Sequence, residues 1–193
     1  MLGSTDTAAL QSPHLVYAGY EESNVFISAN SRRGICAPRT PDELDKSYPA
    51  LALKFENTFV AGEIRGRRLK VIAKVTLESR SGATQRVMNY GVWLNASSGS
   101  TRIDSGQNRK LLVMLLEENR FLSFEDQRVP DSGGRKKGSH RVTGFLPYLE
   151  PIPVDRLEFV GVTLIEIRTQ ASVQYRFRVW WDEGNFCVLQ TSL

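Results

Sequence analysis

Two runs of strictly alternating side chains constrain this chain more than any other feature. From Leu69 to Leu77, the side chains of Leu69, Val71, Ala73, Val75 and Leu77 share one phase, while Lys70, Lys74 and Thr76 take the other and Ile72 is the lone apolar exception. From Val173 to Val179, Val173, Tyr175, Phe177 and Val179 oppose Gln174, Arg176 and Arg178. Successive side chains on a strand point to opposite faces, so each run predicts one buried and one wet face. That is half-buried antiparallel sheet. Neither run carries a reactive group, so the pattern speaks to the scaffold and leaves the activity open.

A chain of 193 residues, 41% hydrophobic and 24% charged, is ordinary for a soluble globular protein and large enough to bury a core without metal or disulfide staples. The longest apolar run, Leu111 to Leu116, is far below the ~20 residues of a membrane-spanning helix. The first residues lack the basic and long apolar regions of a secretory signal, so the expected compartment is the cytoplasm. Cys36 and Cys187 cannot hold a metal by themselves, and two buried free thiols are expected. The charge of +4, from 25 basic and 21 acidic residues, is too mild to mark a dedicated nucleic-acid binder.

Residues 1–13 are small and polar and read as a disordered arm before a single domain over 14–193. Two short edge strands are expected at Leu15 to Tyr17 and Val25 to Ser28, and residues 31–49 read as a connector with one helical turn near Thr40. A strand follows over Leu51 to Asn57. The Leu69 run should then fold back through Ser81 and Gly82 onto a return strand from Arg86 to Leu94, pairing toward Trp93. Ile103 is a strand stub before a turn at Asp104 to Gly106. Residues 109–124 are ambiguous, because Leu111, Leu112, Leu115 and Leu116 also sit at helical spacing. The surrounding pattern favours two strands, joined at Glu117 to Arg120. Residues 127–141 read as a mobile basic loop, and three further strands complete the chain: Arg156 to Arg168, Val173 to Trp181 and Phe186 to Leu189.

The alternating Leu51, Leu53, Phe55 and Asn57, then Leu69, Val71, Ala73 and Val75, then Gly91-Val92-Trp93, then Ile103, Asp104 and Gly106 leading into Leu111 to Leu115, form an order that resembles immunoglobulin-like accessory sandwiches of bacterial proteins. The resemblance spans residues 50–125, with 156–181 as closing strands. It implies an all-β, antiparallel immunoglobulin-like β-sandwich with a short N-terminal arm, and it carries no catalytic residue with it. Cys36 and Cys187 do not match the intersheet disulfide that flanks the tryptophan of antibody domains.

Chemistry is sparse. The only histidines, His14 and His140, sit beside the arm and inside the basic loop, and adjacent acidic pairs such as Glu117 with Glu118 point to opposite faces of a strand. No phosphate loop, dinucleotide fingerprint or zinc-protease motif occurs, so neither an enzyme nor a cofactor is expected. Arg176, Arg178 and Trp180 share one strand phase and form a candidate partner face. Arg65, Arg67, Arg68, Arg135, Lys136, Lys137 and Arg141 lie in glycine-bearing loops that would suit a polyanion. The leading expectation is a noncatalytic module contacting a protein partner. The alternatives are nucleic-acid or polyanion binding through those basic groups, and carbohydrate binding through Trp93, Trp180 and Trp181.

Overall fold

The computed structural model describes residues 14–27, 46–58, 68–80, 86–94, 96, 99–126, 145–147 and 152–192. In chain order they form β1 (Leu15–Ile27), β2 (Lys46–Asn57), β3 (Leu69–Ser79), β4 (Arg86–Tyr90), β5 (Val92–Trp93), β6 (Thr101–Ile103), β7 (Asn108–Glu117), β8 (Arg120–Asp126), β9 (Phe145–Pro147), β10 (Ile152–Pro153), β11 (Leu157–Glu166), β12 (Ser172–Asp182) and β13 (Asn185–Thr191). These build two antiparallel sheets. One follows the order β1-β2-β7-β8-β10, with β5 on β7 and β9 on β8; the other follows β13-β12-β11-β3-β4, with β6 on β3. One of the sheets is curled into a half-barrel. The described residues contain no helix, and none is long and apolar enough to cross a membrane.

The alternation of the Leu69 run is realised along β3. Leu69, Val71, Ala73, Val75 and Leu77 are all buried, whereas Lys70 is exposed and Ile72, Lys74 and Thr76 are half-buried. Across β11, Val160, Val162 and Leu164 pair with Leu77, Val75 and Ala73 and are buried on the same face. Phe177 and Val179 of β12 extend that face, and Leu51, Leu53, Phe55, Trp93, Leu111 and Val113 meet it from the opposite sheet. An aromatic chain stitches the layers: Phe55 lies 5.3 Å from Tyr175 and 6.4 Å from Trp93 between ring centroids, and Tyr17 lies 4.8 Å from Phe177. Burial holds the phenols of Tyr175 and Tyr17 above their ordinary value, with Tyr20 adding to the effect at Tyr17. The Tyr175 hydroxyl donates to the Leu15 carbonyl, tying β12 to β1.

Three expectations are corrected. The two edge strands expected near Leu15 and Val25 are a single strand, β1, whose pairing with β2 is interrupted only between Tyr17 and Tyr20. Gly19 takes a φ of 109° at this irregularity, a conformation that glycine adopts without strain, and the strand runs on past it. The connector expected over 31–49 ends sooner, because β2 begins at Lys46 and Pro49 pairs within it opposite Asn24. Finally, the return strand from Arg86 does not continue to Leu94. β4 pairs with β3 as far as Tyr90, then Val92 and Trp93 cross to β7 in the other sheet. Gly91 makes the crossing, its N–H donating to the Ala73 carbonyl at 2.8 Å. The first three residues of β3 are therefore paired with β6, Leu69 opposite Ile103, and not with the Trp93 segment.

Asn57 locks the sheets at one end. Fully buried, it donates through Nδ2 to the Ile103 carbonyl at 3.0 Å, and its own carbonyl accepts from Gly106 N–H at 2.8 Å. At the β11–β12 turn, buried Glu166 accepts hydrogen bonds at 2.6 Å from both the amide and the hydroxyl of Thr169. Burial pushes its carboxyl up, but the Thr169 hydroxyl and amide, with the backbone of Arg168 and Lys70, outweigh burial and hold it below its ordinary 4.5. A carboxyl depressed by folding stabilises above its unfolded value, and that contribution fades as pH falls below 4.5. Glu166→Gln is expected to lower unfolding free energy by about 1–2 kcal/mol at pH 7. Urea titrations at pH 7 and pH 3 check this: the gap between the two proteins should narrow at pH 3, and a gap that does not narrow contradicts the assignment.

Candidate functional site

Past Val160 and Phe177 the pairing of β11 with β12 stops, although both strands run on. β11 follows β3 instead, where Leu157 pairs with Ser79 and Phe159 with Glu78 across a bulge at Glu158. β12 stays with β13 to Asp182. The two strands splay, and a cleft of about 560 Å³ opens in the fork, lined by Leu157 and Glu158 from β11 and Arg178, Val179, Trp180 and Trp181 from β12. Arg80, just past β3, Val154 and Asp155 before β11, and Asn119 in the β7–β8 turn complete the wall. Asn119 adopts a φ of 60° and accepts from Val154 N–H at 3.0 Å, which fixes that turn to the floor of the cleft.

The side chains at the mouth divide into committed and uncommitted groups. Arg80 faces Glu158 with its Nη2 at 3.6 Å from Oε1, an exposed pair of small energetic weight. Trp181 turns inward and packs edge-on against Phe186, ring centroids 4.8 Å apart. Trp180 turns outward and is 39% exposed. Arg178 holds its guanidinium 6.0 Å from the Trp180 ring and makes no ion pair among the described residues. Beside them on β13, Leu189 sits opposite Arg178 and is 55% exposed, the most open of the large apolar side chains described. Cationic, aromatic and apolar surface thus meet at one end of the sandwich, next to a concavity.

Of the residues singled out in the sequence, Arg178 and Trp180 meet at this cleft. Arg176 is on the same strand face but does not line it: its guanidinium stacks 3.7 Å from the Phe159 ring and lies 3.2 Å from Glu78 Oε2. Arg68 precedes β3 while Arg80 follows it, so the strand's length, roughly 35 Å, separates Arg68 from the cleft. Arg68 pairs there with Asp104 at 3.3 Å. Arg65, Arg67, Arg135, Lys136, Lys137, Arg141, His140 and Cys36 lie outside the described residues. Trp93 is core, 1% exposed. Cys187 is a free thiol, half-buried rather than buried as expected, opposite Trp180. Among the described residues no three of His, Cys, Asp and Glu gather as a metal site would require.

Sequence reasoning missed Arg80, Asn119, Asp155 and Glu158. They come from three separate places in the chain, and only the divergence of β11 from β12 gathers them. On the opposite sheet, Glu21 forms a smaller cluster, with Oε1 2.5 Å from Lys110 Nζ and Oε2 3.3 Å from Lys54 Nζ. The Lys110 hydrogen bond is the main cause that holds the Glu21 carboxyl below its ordinary range. Lys54 and Lys110 pair directly across β2 and β7, so the carboxylate offsets a like-charge contact. This cluster stabilises a sheet face and offers no open group.

No family model matches the chain. No curated protein and no solved structure matches it either.

Proposed function

We propose that this protein is a noncatalytic β-sandwich module of the immunoglobulin-like kind, and that it contacts a protein partner through the Arg178–Trp180 end. The sandwich assignment rests on two antiparallel sheets facing each other across a buried tryptophan, Trp93. The observation that carries the function is the grouping of Trp180, Arg178 and Leu189 on one open surface beside the cleft. Tryptophan and arginine dominate the energetic centres of protein interfaces, because each combines a large desolvatable surface with directed polar contact.

The polyanion reading draws less support. Arg176 is occupied by Glu78 and Phe159, and Arg68 by Asp104 at the far end of β3. Neither adds to the charge at the cleft.

The experiment is affinity capture from native extract with the wild type and with an Arg178→Glu/Trp180→Ala double variant. Arg178 is exposed and Trp180 is 39% exposed, so the variant should lose no more than about 1–2 kcal/mol of unfolding free energy. A protein held by the wild type should then bind the purified variant about thirtyfold more weakly in a titration. Equal retention by both proteins overturns the reading, and recovery of nucleic acid in place of protein transfers it to the polyanion class.

A further inference from the structure

We infer that the fork between β11 and β12 takes a short, extended, acidic peptide segment of another protein as an added strand. The inference rests on the protein-contact reading above and names its mode. The β12–β13 hairpin closes on the pair Asp182 and Asn185 around a tight turn in which Glu183 and Gly184 take φ of 47° and 87°. Hydrogen-bonded and non-hydrogen-bonded pairs alternate from such a closing pair. Asp182, Trp180 and Arg178 therefore direct their backbone groups to β13. Trp181, Val179 and Phe177 direct theirs the other way, toward β11.

The far side of the hairpin agrees with this phase. Phe186, the partner of Trp181, turns its N–H outward from β13, where the Glu22 carboxylate accepts it. On the fork side Phe177 is met by Val160, but Val179 and Trp181 have no partner strand there among the described residues. An edge of backbone donors and acceptors thus lines a cleft of about 560 Å³, with Trp181 half-buried toward the mouth and Val179, 1% exposed, at the closed inner end of the fork. A strand laid along it would bond to Val179 and Trp181, the main-chain recognition used in strand addition. Its side chains would alternate between the inner wall and the outer mouth, where Trp180 and Arg178 wait. Glu158 in the wall is answered by Arg80, and Asp155 lies on the β11 side, whereas Arg178 on the β12 side has no carboxylate partner among the described residues; the preference for an acidic side chain is therefore local to Arg178.

The test is selection of random nine-residue linear peptides displayed on phage against the full chain, with counter-selection on Arg178→Glu. Selected peptides should carry Asp or Glu, and the synthetic peptide should bind Arg178→Glu at least tenfold more weakly. N-methylation of alternate peptide nitrogens should weaken binding at least tenfold, while methylation of those between should not. Saturating peptide should slow amide exchange at Val179 and Trp181 at least tenfold. If no peptide shows Arg178-dependent binding, the inference is overturned. Binding that needs Arg178 and Trp180 yet leaves exchange at both amides unchanged removes strand addition while the broader protein-contact reading stands. Self-association of the chain that Arg178→Glu abolishes would make a second copy the occupant and would also overturn it.

Discussion

Phe55→Ala is expected to reduce the unfolding free energy by about 3–5 kcal/mol, the range for removing a buried aromatic side chain. Phe55 is completely buried and touches aromatic rings from three other strands: Tyr17 of β1, Trp93 of β5 and Tyr175 of β12. Its loss removes transfer free energy and leaves a void between two sheets that cannot close without moving a strand. Urea denaturation should show a lower midpoint at unchanged slope. A thermal melt should fall by roughly 10 °C for a chain of this size. A loss under 1 kcal/mol would mean that the aromatic chain does not hold the layers together.

Gly91→Ala should cost about 1–3 kcal/mol by overpacking. A Cβ at this position would stand 2.8 Å from Leu111 Cδ1 and 2.8 Å from Val75 Cγ2, side chains that arrive from opposite sheets. Leucine has rotamers to escape into, but Val75 is β-branched and buried and has little room to yield. The variant tests the sheet crossing directly. If β4 and β5 were one continuous strand in one sheet, as the sequence suggests, an alanine there would be nearly neutral, and equilibrium unfolding distinguishes the two outcomes.

That crossing also marks where the sequence stops being readable. Tyr90-Gly91-Val92 looks like an unbroken strand because the change of sheet needs no positive φ at Gly91, only a change of partner from β3 to β7. The Leu69 and Val173 runs are legible because each has one wet face along most of its length. The ambiguity over 109–124 has a physical source of the same kind. Leu111, Val113 and Met114 enter the main core, while Leu112 and Leu115 join a second buried cluster with Tyr48, Ala50, Val92 and Leu122 on the other face. A bulge lets Leu51 pair with Met114 and Ala52 with Leu112, skipping Val113. Two outer-face leucines thus fall three residues apart, which imitates helical spacing in a strand buried on both sides. The candidate site was half legible. Arg178 and Trp180 share a phase that any reader of the sequence can find, but the cleft beside them depends on where the pairing of β11 ends, which no local pattern encodes.

The pairing of β3 with β11 has a kinetic consequence. Leu157 to Glu166 meet Val71 to Ser79 only after a loop of about 80–95 residues has closed. The hairpins β7–β8 and β12–β13 need no such search and can form on the microsecond scale. Refolding should therefore be limited by the meeting of two early halves of the chain, and it should proceed in the slow range of proteins dominated by distant contacts. Until that meeting, the edge of β3 that β11 takes is unpaired along Val71 to Ser79, and crowding at that stage favours pairing between molecules over pairing within one.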